Sequence, residues 1–158
     1  MKAAEFRGIC SRFATGVAVL TVLDPEGNPH GLTVNSFTSV SAGPPLVLVC
    51  VDLSSGLLAY FQQALFYGLS ILNEDQQDLS IRFASVPERR FDGVAWRRGE
   101  ATGVPLLDKA IGWLECRTRE LILAGDHQIL LAELVAAHVD DGTGRPLLYF
   151  NSGYAQLK

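Results

Sequence analysis

A mainly β fold, an antiparallel barrel with short peripheral helices, is the class this sequence predicts, and three observations predict it. Short runs rich in Val, Leu, Ile and Thr recur at Thr15 to Leu23, Leu46 to Val51, Phe66 to Leu72, Ile111 to Arg119, Gln128 to Val139 and Leu147 to Phe150. Turn clusters bound them, among them Asp24-Pro25-Glu26-Gly27-Asn28-Pro29 and Asp140-Asp141-Gly142-Thr143-Gly144, the latter read as joining the last two strands. Regular helical patterns of roughly 10–15 residues do not separate the runs, which disfavours a doubly wound parallel sheet. Six or seven strands and two or three short helices are expected, in one domain over residues 1–158.

The N-terminal segment Ala3 to Phe13 places Phe6, Ile9, Cys10 and Phe13 at helical spacing, with charged residues elsewhere on the wheel, and reads as an amphipathic helix. Leu46 to Val51 is a continuous apolar run after Gly43-Pro44-Pro45 and reads as a central strand covered on both faces. Leu57 to Ala64 has the composition of a short helix. At Asn73-Glu74-Asp75-Gln76 a capping-box pattern starts another that runs to about Ala84, with Leu79 and Phe83 on one face. Pro87 to Arg98 is polar and irregular, with Phe91 and Trp96 as anchors.

The chain has 158 residues, enough to bury about two-thirds of its extended surface. A hydrophobic fraction of 48% and a charged fraction of 19% fit a globular protein, and a net charge of −4 argues against a nucleic-acid partner. Cys10, Cys50 and Cys116 form no Cys-x-x-Cys pair and have no His at ligand spacing, so neither a disulfide framework nor a metal site is expected. Without an apolar run of membrane-spanning length or a signal region, the expectation is a soluble cytoplasmic protein with no membrane partner.

Nucleotide and hydrolase signatures are missing: no Gly-x-Gly-x-x-Gly between strand and helix, no Walker loop, no His-Glu-x-x-His, no Gly-x-Ser-x-Gly. Three polar constellations stand out. Gly31 to Ser41 carries Thr, Asn or Ser at six of eleven positions between two core strands. It is either an edge strand with solvated hydroxyls or a surface that meets a polar ligand. Gly125-Asp126-His127 delivers a histidine to the start of a strand, as a turn residue or a site group. Tyr149 to Tyr154 closes a core with aromatics or lines a site.

Together these pieces resemble the small flavin reductase family. The matching residues are Phe13-Ala-Thr-Gly-Val17, His30 to Ser41, Pro44-Pro-Leu-Val-Leu48, Leu72-Asn-Glu-Asp-Gln76, Leu79 to Ala84, Gly125-Asp-His127 and Gly153-Tyr154, in the family's order over nearly the whole chain. The resemblance implies a flavin-binding split β-barrel that forms a homodimer. It implies an NAD(P)H:flavin oxidoreductase that passes hydride from NADH or NADPH to FMN or FAD and supplies reduced flavin to a partner oxygenase. The alternative within the group is a flavin carrier or sensor without efficient reductase activity; a haem-handling or other redox role in the split-barrel group is a second.

By the same resemblance the flavin site comprises Thr33, Val34, Asn35, Ser36, Ser39, Val40, Ser41, Cys50, Val51, Asp52, Ser54, Ser55, Arg82 and Phe83. Thr33 to Ser36 offer hydrogen bonds to the ring edge, and the serines offer donors to the phosphate. The nicotinamide site comprises His127, Phe150, Asn151, Ser152, Gly153 and Tyr154, with His127 as orienting hydrogen-bond donor. Family members place Lys or Arg near Ser54 and Ser55. This sequence has none there, which leaves Arg82 first, then Arg89 or Arg90, to balance phosphate charge. The family's Arg near Asn151 or Ser152, and its Gly where Ala132 stands, are also missing.

Overall fold

The computed structural model describes residues 1–142 and 144–158. Helix α1 (Ala3–Cys10) begins at Lys2, whose N–H donates to Glu5 Oε2 at 3.0 Å. It ends three residues before Phe13, and its apolar stripe is uncovered within the chain: Phe6, Ile9 and Phe13 are 58%, 65% and 78% exposed. Strands β1 (Thr15–Gly16), β2 (Ala18–Leu23), β3 (Pro29–Val34), β4 (Thr38–Ala42) and β5 (Pro45–Asp52) follow, then α2 (Leu58–Gln63) and β6 (Phe66–Ile71). The capping box forms as the sequence predicts. Asn73 Oδ1 accepts from the Asp75 N–H at 2.8 Å and Gln76 Oε1 from the Asn73 N–H at 3.1 Å, opening a short 3₁₀ turn that leads into α3 (Gln77–Ser85). Then come β7 (Trp96–Arg98), β8 (Pro105–Leu107), β9 (Gly112–Ala124), β10 (His127–Val139), β11 (Leu148–Phe150) and β12 (Gly153–Ala155).

Seven strands make one antiparallel sheet in the order β3-β2-β6-β9-β10-β5-β4. Strand β2 is buried on both faces, because side chains alternate across a strand. Ala18, Leu20 and Val22 enter a core with Val49, Val51, Tyr67, Leu69, Leu130 and Phe61 of α2, while Val19 and the preceding Val17 enter a second with Leu72, Leu107, Leu147 and Phe83 of α3. The expected central, doubly covered strand Leu46 to Val51 is therefore corrected. It lies second from the edge, and only its Val47, Val49 and Val51 face enters the core, while Leu46, Leu48 and Cys50 on the opposite face stay half-buried because no layer of this chain covers them fully.

Two other expectations change. Strands β10 and β11 do not pair; β11 joins β1 and β12 instead, and Thr143 in the connecting turn lies outside the described residues. Strand β8, absent from the sequence reading, pairs with β7. It is held by buried polar groups distant in sequence: the Thr21 hydroxyl donates to the Pro105 carbonyl, and Ser70 Oγ accepts the Leu107 N–H at 2.9 Å. Beside it the buried Glu115 carboxylate accepts the Thr102 N–H and hydroxyl, each at 2.7 Å.

The close approach of β6 to β2 and β8 depends on Gly68, where a Cβ would stand 2.6 Å from Thr21 Oγ1 and 2.7 Å from the Pro105 carbonyl oxygen. Gly68→Ala is expected to cost about 1–3 kcal/mol in urea unfolding, because one of the two obstacles is backbone.

Candidate functional site

The polar stretch does not form one strand. It pairs with β2 up to Val34, breaks at residues 35–37, and resumes as β4 with a bulge between Ser39 and Ser41. At the break the Ser36 hydroxyl donates to the Cys50 carbonyl at 3.0 Å and accepts the Cys50 N–H at 2.9 Å, so one side chain supplies the ladder partner that β4 no longer reaches. Thr33 Oγ1 donates to the Ser80 carbonyl at 2.6 Å, fixing β3 to α3. Two of the hydroxyls are thus satisfied by the protein itself, and Asn35 is left exposed between them.

Cavities open on both sides of Asn35. One, of about 480 Å³, is bounded by Phe13 to Ala18, Val34 to Thr38 and Ile71. Its walls are mostly apolar, with Thr15, Asn35, Ser36 and Thr38 as polar members. Burying a polar group without a partner costs about 1–3 kcal/mol. Among the described residues one buried side-chain polar atom lacks a partner, and it is Thr15 Oγ1. The other cavity, about 230 Å³, lies between Thr33, Asn35, Ser80 and Ala84 and the aromatic pair Tyr149 and Tyr154. The Tyr154 hydroxyl and Ser80 Oγ are 2.7 Å apart.

A second cluster forms at the far end of β5. Asp52 pairs with His127 across the β5–β10 ladder, and the Leu53 N–H donates to the Asp126 carbonyl. The Ser54 hydroxyl and N–H both reach Asp52 Oδ1 at 2.7 Å, and together with the positive field of His127 they hold this carboxyl below its ordinary pKa. His127 Nδ1 faces Asp126 Oδ1 at 2.7 Å. A proton on Nδ1 donates to that carboxylate, leaving Nε2 as the free nitrogen.

A third cavity, about 750 Å³, is the largest of the three. It contains Gly56 and Leu57, which follow Ser54 and Ser55, together with Arg89, Arg90 and a stacked His30–Tyr60 pair with ring centroids 4.3 Å apart. The Arg90 guanidinium is spent on backbone, donating from Nη1 to the Gly31 and Phe83 carbonyls at 2.8 Å each, and its burial lowers its pKa. Arg82 Nη2 donates to the Asp92 carbonyl. Arg89 is 81% exposed in its side chain and pairs with Asp92 at 2.7 Å.

The residues named from sequence therefore divide. Thr33, Val34, Asn35, Ser36 and Tyr154 come together at the two smaller cavities; Asp52, Ser54, Ser55 and His127 come together at the β5–β10 end, outside both. Ser39, Val40 and Ser41 lie on the edge strand away from either cavity. Cys50 is half-buried beneath Ser36, and burial raises its thiol pKa. Val51 and Phe83 point into the core at 1% and 0% exposure, so as placed their side chains do not face a ligand. Phe150 to Ser152 form a hairpin turn in which Asn151 and Ser152 both adopt positive φ and the Asn151 N–H donates to the Ser11 carbonyl at 2.7 Å. Ala14, Thr15, Gly16, Phe37 and Thr38, which line the 480 Å³ cavity, belong to the matching motifs Phe13-Ala-Thr-Gly-Val17 and His30 to Ser41 but are not among the site residues expected from sequence.

The flavin reductase like domain matches residues 10–158. A probable flavin reductase of Rhizobium meliloti strain 1021 is 42% identical over 142 residues, covering 90% of this chain and 45% of that protein. This chain thus spans less than half the length of that relative. The NADH:FAD oxidoreductase of Streptomyces globisporus C-1027, solved with NAD and FAD fragments, superposes with a TM-score of 0.92 at 34% identity, covering 98% of this chain and 92% of that one. The flavin reductase component of a bacterial two-component tryptophan halogenase superposes at 0.91 with 38% identity, covering 99% and 98%.

Ser36 and Asn35 separate by experiment. Ser36→Ala leaves the Cys50 N–H and C=O unpaired and is expected to cost about 1–2 kcal/mol in thermal or urea unfolding. Asn35→Ala, at an exposed position, is expected to stay within about 0.5 kcal/mol of the parent.

Proposed function

This chain belongs to the flavin reductase like domain family, and from that premise we propose that it is an NAD(P)H-dependent flavin reductase acting as one unit over residues 1–158. The observation that carries this reading is the 480 Å³ cavity, where apolar walls suited to a flat ring meet Asn35, Ser36 and Thr38 along one side. An isoalloxazine has that character, an apolar body with amide-like N–H and C=O groups on one edge. When both are bound, the nicotinamide and the flavin, FMN or FAD, supply the redox chemistry, a hydride passing from nicotinamide C4 to flavin N5.

The chain's own task is positioning. Asn35 and the backbone from Thr33 to Ser36 would orient the polar edge of the ring, on a loop held rigid by the Ser36 bridge to Cys50. Arg89, which lines the 750 Å³ cavity, would hold the phosphate together with Ser54 and Ser55, which precede the cavity residues Gly56 and Leu57. Of the three arginines considered from sequence, Arg90 and Arg82 donate to backbone carbonyls, whereas the exposed Arg89 pairs only with the exposed Asp92 among the described residues. Tyr154 and His127 would face the nicotinamide. His127 keeps the role of orienting group, its ring held by the 2.7 Å contact between Nδ1 and Asp126 Oδ1.

Reduced flavin would leave for a partner oxygenase, as the likeness to the halogenase reductase component supports. A homodimer is part of the reading, and the uncovered stripe of Phe6, Ile9 and Phe13 supports it. No helix is long and apolar enough to cross a membrane among the described residues, and cytoplasmic location is part of the same proposal.

Steady-state NADH and NADPH oxidation with added FMN, FAD or riboflavin tests the reading; no turnover with any flavin removes it. His127→Ala is expected to raise the Michaelis constant for the nicotinamide with little change in flavin affinity. Arg89→Ala is expected to weaken FMN binding about fivefold at low salt, less as salt rises, and to leave riboflavin binding unchanged.

A further inference from the structure

We propose that Thr15 contacts the flavin ring, its hydroxyl turning into the 480 Å³ cavity to hydrogen-bond the pyrimidine edge of the isoalloxazine. The inference rests on the flavin reading of that cavity. Its starting point is an imbalance. The other buried polar side chains all have partners: Thr21 on Pro105, Ser70 on Leu107, Gln76 on Asn73 and Asp108, Ser80 on Tyr154, and Glu115 on Thr102. Thr15 Oγ1 alone, among the described residues, is screened from water with none. A valine would fill the same volume without that cost, so a hydroxyl here calls for a partner that the chain does not itself provide.

Geometry limits what the partner can be. Thr15 sits on β1 opposite Tyr149 and lines the cavity shared with Asn35, Ser36 and Thr38. A 120° rotation about its Cα–Cβ bond carries the hydroxyl to the position the methyl holds and the methyl to that of the Cβ hydrogen, so Oγ1 can be re-aimed into the cavity that Thr15 lines without backbone movement. A wholly apolar occupant would leave the hydroxyl unpaired in any of the three staggered rotamers. The occupant therefore carries polar atoms at its edge and a flat apolar body against Val17, Val34 and Phe37. A hydroxyl both donates and accepts, so it can meet either the N–H or the C=O groups that alternate along the pyrimidine edge.

The predicted signature has opposite signs in the free and bound protein. Thr15→Val in the full chain should leave the unliganded melting temperature unchanged or raised, because an unpaired buried hydroxyl is removed. The same variant should bind riboflavin about tenfold more weakly in a fluorescence titration, close to 1.4 kcal/mol. Thr15→Ser, which keeps the hydroxyl, should bind within about twofold of the parent, a difference small against the tenfold effect. If Thr15→Val does not fold, Thr15→Ala removes the same hydroxyl without added volume and must show the same loss. Riboflavin binding unchanged in the hydroxyl-free variant overturns this inference and leaves the flavin reading intact. Equal loss in Thr15→Ser also overturns it, since the hydroxyl would then not be the determinant. A parent protein that binds no flavin overturns both.

Discussion

The site depends on how one backbone unit is satisfied where a strand runs out. β4 pairs with β5 only as far as Thr38 opposite Leu48, so Cys50 would face the edge with an unpaired N–H and C=O. The Ser36 hydroxyl takes both. That single contact lets the chain leave the sheet for three residues without losing its place, and the space on either side of Asn35 becomes cavity rather than ladder. On the opposite edge of β5, Cys50 pairs with Ile129, and two residues further along Asp52 pairs with His127. A strand rises about 3.3 Å per residue, so the ladder holds the Ser36 anchor and His127 roughly 7 Å apart along β5.

The hydroxyl-rich stretch is therefore polar for two different reasons. Thr33 and Ser36 are spent internally, tying β3 to α3 and the break to β5. Asn35 and Thr38 face the cavity and remain available to a ligand. Internally bonded and cavity-lining residues alternate along the same short stretch, as the proposed flavin site requires. The covered β2 and β6 behind the stretch resist deformation because both of their faces are packed.

Charge follows a similar division. Family members carry a cation close to the Ser54–Ser55 loop, and here the folded chain brings Arg89 and Arg90 to the cavity that Gly56 and Leu57 help to form. Arg90 clamps the loop after α3 onto the carbonyls of Gly31 and Phe83, so its charge is partly buried and engaged. Arg89 is the more exposed cation, and Asp92 is its partner. In the proposed reading, the charge missing beside Ser54 and Ser55 comes from Arg89, more than thirty residues further along the sequence.

Patterns that act within a few residues were readable in the amino-acid order. These include the capping box at Asn73 to Gln76, the Val- and Thr-rich run that forms β2, the turn that delivers His127 and the polarity of Gly31 to Ser41. Their physics is local, since a cap or a strand period needs only near neighbours. Family order over the whole chain added the flavin reading. What the sequence could not show required partners far apart. Strand β8 exists because Thr21 and Ser70 meet it from 84 and 37 residues away. The half-exposed face of β5 follows from which side of the sheet the core occupies. Val51 and Phe83 match the flavin motif by position yet point into the core, because strand and helix faces are assigned only when the layers pack. The cavity around Asn35 and the unpaired hydroxyl of Thr15 belong to the same category: sequence supplied the residues, and only the folded backbone decided which polar atoms found partners and which, among the described residues, did not.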